Sequence, residues 1–178
     1  MGLLGKIKRR MKIKKDRIAY YRQQGVVIGD GCSIDPSVKF GSEPYLITVG
    51  NNVRINQGVK LITHDGGVWV LRNMKEENKD IDLFGAIVIG NNVHVGTNTI
   101  IMPNVKIGNN CIIGCGAIVT KNIPDNSIAV GVPARVIETI EEYEEKHVND
   151  FHHTKAMSGA EKREYILKNL VKKDNEEK

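Results

Sequence analysis

An aliphatic residue recurs every six positions through the middle of this chain, and that recurrence leaves little freedom of fold. Ile89, Val95, Ile101, Ile107, Ile113 and Val119 keep the spacing without slippage. Four positions after each comes a small or β-branched residue: Val93, Thr99, Val105, Cys111, Ala117 and Ile123. Gly90, Gly96, Gly108 and Gly114 directly follow the aliphatic residue. The same phase appears earlier at Ile28 and Ile34, and again at Val49, Ile55 and Leu61. A fixed short period of this kind marks a solenoid. Each unit supplies one short strand and one turn, and three units close a triangular coil of about 18 residues. The aliphatic residues are expected to point inward and stack from coil to coil. Gly, Asn and Asp are expected at the corners, where a positive φ is cheap for them. The fold class is mainly β.

The composition suits a narrow core. Gly is frequent at 18 of 178 residues, while Phe, Tyr and Trp total 5%, so the interior is aliphatic rather than aromatic. No apolar run is long enough for a transmembrane helix. The opening MGLLGKIKRRMKIKK lacks the apolar core of a signal peptide, and Lys6 breaks the N-myristoylation pattern. Cys32, Cys111 and Cys115 fall at repeat positions and read as small core or corner residues, not as a disulfide framework. A cytoplasmic location is expected. The net charge of +5 is uneven: residues 1–25 carry nine Lys/Arg against Asp16 alone.

Residues 1–25 read as a basic amphipathic helix over 3–24, with Leu4, Ile7, Met11, Ile18 and Tyr21 near one face and Gly25 as its stop. It can cap the open end of the stack, or also touch an anionic membrane surface. Nucleic acid is not expected as a partner, because no aromatic platform accompanies the basic stretch. Residues 26–137 form the repeat domain. Its phase breaks at Ser42-Glu43-Pro44-Tyr45, and again over 65–85, an inserted loop that holds the only Trp. Long loops on a compact repeat scaffold are usually functional or disordered. The tail, 138–178, reads as helical. Ile140, Tyr143, His147 and Phe151 keep helical spacing, and Ser158-Gly159-Ala160-Glu161 is a capping-box pattern opening a second helix to about Lys172. The final KKDNEEK is expected to be disordered.

His64 is the leading catalytic candidate. It ends a repeat strand and opens the long loop, so its imidazole projects from the edge of a rigid coil and suits general-base work. A surface histidine at a turn is the bland alternative. Asp65 could orient the ring, but adjacent residues on an extended chain point to opposite faces. Within the loop, Asp65, Trp69 and Arg72 are acceptor-side candidates: an indole face and a forked donor suit sugar stacking and hydroxyl binding. Trp69 could instead plug a subunit interface.

These residues resemble the left-handed β-helix hexapeptide-repeat acyltransferases. The likeness is to the branch that O-acetylates sugars: galactoside and maltose acetyltransferases, and those of capsule and surface-polysaccharide synthesis. It rests on Ile89-Gly90-Asn91-Asn92-Val93, Ile107-Gly108-Asn109-Asn110, Gly116-Ala117-Ile118-Val119-Thr120-Lys121 and Gly131-Val132-Pro133-Ala134-Arg135-Val136-Ile137. It covers about residues 26–140. The resemblance implies acetyl-CoA as co-substrate, no tightly bound cofactor, and a homotrimer with sites between subunits. It implies that the histidine before the loop, His64, is the general base. It implies acetyl-CoA contacts at Thr97, Cys115, Thr120, Lys121 and Arg135, and acceptor contacts at Asp35 and Glu43. Asp35-Pro36 is equally a good turn pair.

Three departures bear on the substrate. His94 stands where the family often has an aromatic residue. Asp65-Gly66-Gly67 follows the histidine, where the galactoside and maltose enzymes have proline. A short basic helix replaces their N-terminal maltose-type domain. These point away from a simple galactoside or maltose acceptor and toward a surface-polysaccharide precursor. The γ-class carbonic anhydrases share the fold, but zinc catalysis needs convergent ligands and the repeats hold only His64 and His94. No catalytic metal is expected. Two alternatives stay open: N-acetylation of an amino sugar or nucleotide-sugar, and a non-catalytic trimeric scaffold on an anionic surface.

Overall fold

The computed structural model describes residues 17–171. A short helix α1 (Arg17–Gln23) comes first. The first part of the helix expected over 3–24 lies outside the described residues, as does the KKDNEEK end. Coil one holds β1 (Val27–Ile28), β2 (Ser33–Ile34) and β3 (Lys39–Phe40). Coil two holds β4 (Ile47–Val49), β5 (Arg54–Ile55) and β6 (Lys60–Leu61). The inserted loop then carries helix α2 (Val68–Met74). Coil three holds β7 (Ile87–Ile89), β8 (Val93–Val95) and β9 (Ile100–Ile101). Coil four holds β10 (Lys106–Ile107), β11 (Cys111–Ile113) and β12 (Ile118–Val119). An antiparallel hairpin of β13 (Ser127–Val130) and β14 (Arg135–Thr139) follows.

The strands stack into three walls of a prism. Wall one is β1-β4-β7-β10, wall two β2-β5-β8-β11-β13-β14, and wall three β3-β6-β9-β12. Apart from the last pair, every ladder is parallel and in register. The expected aliphatic columns fill the interior. Ile89, Val95, Ile101, Ile107, Ile113 and Val119 are buried, and so are Val93, Thr99, Val105, Cys111, Ala117 and Ile123. The first coil is closed below by α1, where Tyr20 is buried and the Tyr21 ring lies 4.2 Å from that of Phe40. Arg17 Nη2 donates to the Val38 carbonyl at 3.0 Å.

The corners depart from expectation in one respect. Positive φ falls on Asn52, Asn92, Asn98, Asn104, Asn110 and Asn126 and on glycines such as Gly58 and Gly116, but not on Gly90, Gly96, Gly108 or Gly114, nor on any Asp among the described residues. Those glycines serve close approach. A Cβ on Gly90 would lie 2.7 Å from the Gly108 carbonyl, with no side chain able to yield. Along the edge between walls one and two runs a ladder of amides. The backbone N–H groups of Asp30, Asn51, Asn91 and Asn109 each donate at 2.8 Å to the side chain one coil on, at Asn51, Asn91, Asn109 and Asp125 respectively.

The chain divides into compact units at Tyr143/Glu144, within helix α3 (Ile140–His147). In the second unit, α4 (Gly159–Ile166) opens with the expected capping box between Ser158 and Glu161 and continues as a π-helical turn, Leu167–Val171. His152 Nδ1 lies 3.1 Å from the Tyr165 hydroxyl. No helix among the described residues is long and apolar enough to cross a membrane.

Candidate active site

The two phase breaks lie on one edge, between walls three and one. The first lifts residues 42–45 out of the regular turn into a 3-10 helix, Pro44–Leu46, with Glu43 at its N-cap. The second releases the chain at Thr63 and returns it at Gly85. Its ends are zipped together: Asp65 N–H donates to Leu83 O at 2.8 Å and Gly85 N–H to Thr63 O at 2.9 Å. His64 and Phe84 form an antiparallel bridge between those two bonds. The loop therefore leaves through a fixed neck, and His64 stands in it.

Glu43 reaches this neck from the coil below. Thr63, fully buried, donates its hydroxyl to Glu43 Oε2 at 2.6 Å. His64 Nδ1 lies 3.2 Å from the same oxygen. The Glu43 side chain is 16% exposed and that of His64 45%, so the carboxylate is screened while the ring stays accessible. The Thr63 hydrogen bond is the largest influence on Glu43 and, with the His64 contact, holds its carboxyl below the ordinary range; burial opposes this. An ionised carboxylate only accepts hydrogen bonds, so Nδ1 of the neutral ring carries the proton and Nε2 keeps its lone pair. A histidine held by a carboxylate in this tautomer can accept a proton from a bound hydroxyl.

The remaining candidates separate into groups. Thr120 and Lys121 are exposed on the same edge as His64, two coils further on, or about 10 Å by strand spacing. Thr97 and Cys115 stack on the opposite border of wall three, where Gly116 N–H donates to Thr97 O at 2.8 Å. Asp35 lies on that border too, in the first coil. Its Oδ1 accepts from the Ser37 hydroxyl at 2.6 Å and the Ser37 N–H at 2.8 Å, and these bonds lower its pKa, with Arg17 adding a smaller effect. Arg135 opens β14, with Nη1 on the Ala134 carbonyl at 2.9 Å. In the loop, Asp65 Oδ1 accepts from Gly67 N–H at 2.7 Å, closing a turn. Arg72 braces the loop: Nε donates to Ile81 O at 2.8 Å and the guanidinium pairs with Asp82. Trp69 is 69% exposed. His94, in wall two beside Arg54, is half-buried, and burial then the Arg54 charge push its pKa down. No cluster of three metal-ligating side chains occurs among the described residues.

A family model described as bacterial transferase hexapeptide (six repeats) matches residues 86–121. Over 158 residues the chain is 50% identical to Protein CapG of Staphylococcus aureus, a match covering 87% of this chain and 88% of that one. The chain belongs to the hexapeptide-repeat transferase family. A maltose O-acetyltransferase structure from Clostridium difficile 630 superposes with a TM-score of 0.56 at 27% identity, over 70% of this chain and 75% of its own. A galactoside acetyltransferase in complex with coenzyme A gives 0.51 at 30% identity, over 74% and 73%. The hexapeptide-repeat chain described here is thus an acetyltransferase with the left-handed parallel β-helix of that family.

Sequence reasoning placed Glu43 only on the acceptor side and missed its contact with His64. Thr63 it did not single out at all. The signal was present: coil one pairs with coil two at a constant offset, Val27 with Thr48 and Lys39 with Lys60, and that same offset of 21 links Glu43 to His64.

Proposed function

We propose that this hexapeptide-repeat protein transfers an acetyl group from acetyl-CoA to a sugar hydroxyl on a precursor of a surface or capsular polysaccharide. The observation that carries the reading is the Thr63–Glu43–His64 chain in the loop neck. His64 Nε2 takes the proton of the acceptor hydroxyl as its oxygen attacks the thioester carbonyl carbon. The new C–O bond leaves a tetrahedral oxyanion, which backbone N–H groups along the groove stabilise. Collapse breaks the C–S bond, and His64 returns the proton to the CoA sulfur. Glu43 offsets the charge of the transient imidazolium. No acyl-enzyme is needed, because donor and acceptor are bound side by side.

Lys121 and Arg135 pair with CoA phosphates in this reading, and backbone N–H groups near Thr97 and Cys115 bond the pantetheine amides. These groups lie on two borders of one wall. That division supports an assembly, a homotrimer, in which one copy brings its Thr97 and Cys115 border against the His64 edge of the next. Thiol release from acetyl-CoA with a panel of sugars tests the reading. His64→Ala is expected to cut turnover by at least about 10²-fold while the coils stay folded. Near-wild-type turnover in that variant removes His64 from the mechanism.

A further inference from the structure

We infer that Lys39 and Lys60 form a binding site for an anionic group on the acceptor, a carboxylate or a phosphate carried by the sugar. The inference rests on the sugar-acetyltransferase reading and adds to it a substrate class. Lys39 and Lys60 are direct register partners on wall three, and both are exposed while Phe40 and Leu61 beside them point inward. Adjacent parallel strands lie about 4.8 Å apart, so two ammonium groups rise from neighbouring positions of one face. Like charges directly opposite each other destabilise a sheet. This is the only register pair of two lysine or arginine side chains among the described residues.

Among the described residues no partner offsets that repulsion. Neither lysine makes an ion pair or a side-chain hydrogen bond among the described residues. The carboxylates four positions to either side of Lys39 are engaged elsewhere: Glu43 by Thr63 and His64, and Asp35 by Ser37. The wall is not polar throughout, because the same column continues as half-buried Ile100 and Ile118. The basic pair is therefore local to coils one and two, which are the coils that supply the dyad. Lys39 precedes Glu43, and Lys60 precedes His64, by the same four positions. Four residues span at most about 14 Å, and the flexible lysine stems can shorten the gap. An anion held between the two ammoniums would direct a hydroxyl of the attached sugar toward His64.

Calorimetric titration of the full chain with glucose, glucuronate and glucose 1-phosphate tests this without relying on turnover. Both anions are expected to bind at least about tenfold more tightly than glucose, the size of one charge-assisted contact. The glucuronate and phosphate arms tell which anion fits better. The Lys39→Ala/Lys60→Ala variant is expected to lose the advantage, and Lys39→Arg/Lys60→Arg to keep it. The inference is overturned if neither anion binds, if charged and neutral sugars bind alike, or if the alanine variant keeps the preference. It is equally overturned if the alanine variant loses acetyl-CoA instead, or changes its sedimentation, since the lysines would then serve the donor or a subunit contact. Thiol release is scored separately. An anion preference with no sugar acetylated would refute the sugar-acetyltransferase reading alone. Acetylation without any anion preference would refute the lysine site alone.

Discussion

The edge between walls three and one is built in two ways. In the upper coils it is a tight corner: residues 102–105 and 120–122 turn the chain and return it to phase, with Asn104 taking the positive φ. In the lower coils the same edge gains a 3-10 turn and a loop with a zipped neck. The upper corners commit their inward positions to stacking, since Ile101, Val105, Val119 and Ile123 are all buried. The lower corners free Glu43 and His64 to meet each other. Regular repeats make a rigid ruler, and chemistry enters where residues exceed what the ruler needs.

The sharpest way to break this division is to exchange its consequences. Ile101→Ala empties a column of the regular stack and is expected to lower unfolding free energy by about 2–5 kcal/mol, with turnover per folded molecule little changed. Denaturant titration beside kinetics reads both. Full stability with lost turnover would mean that the ruler also does chemistry.

Glu43→Gln should do the reverse. Turnover is expected to fall about ten- to a hundredfold, with the KM for acetyl-CoA nearly unchanged and the fold intact. Stability should also change with pH. The folded pKa of Glu43 lies below its ordinary 4.5, chiefly through Thr63. Its contribution is therefore present above 4.5 and lost as pH falls through the lowered folded value. Unfolding curves of wild type and Glu43→Gln are expected to converge as the solution is acidified. Parallel curves would mean that the carboxylate contributes nothing by its charge.

The smallest effect belongs to the loop beyond its neck. Replacing residues 68–80 with a Gly/Ser linker leaves the Asp65–Leu83 and Gly85–Thr63 bonds in place. The fold should survive, the acceptor KM should rise severalfold, and the acetyl-CoA KM should stay. Unchanged acceptor kinetics would place the acceptor away from Trp69.

Much of this was legible in the chain, for reasons that differ by region. The coils were, because one period sets both strand and inward face. Why glycine follows the aliphatic residue was not: φ and close approach leave the same letter in a sequence, and only the distance from Gly90 to Gly108 separates them. Helix α2 was not legible either, since helical periodicity shows through a buried face and this helix has none. Trp69 and Met74 are 69% and 68% exposed. The Arg72–Asp82 pair lies inside that aperiodic segment, where no repeat indicates which residues meet. The His64–Glu43 contact was readable from the coil offset, but recognising it required treating the insertion as part of the count.

The amide ladder on the edge between walls one and two bears on how such a protein can lengthen. Each rung from Asp30 to Asn109 donates upward and presents an oxygen downward. Any rung of this kind can be copied, because its upper and lower faces match. Asp and Asn serve alike here, because what a rung gives is its backbone N–H and what it takes is accepted by a side-chain oxygen: Asp30 donates at the bottom and Asp125 accepts at the top. Only the second bond of the upper rungs, from the side chains of Asn91 and Asn109 to the next rung, needs an amide as donor. Duplication of a coil would therefore preserve the main bonding whichever of the two residues it copied, and an aspartate within the ladder would forfeit only that second bond. The grammar of the repeat is written in the backbone, and this edge leaves heritable growth of the stack open at every coil.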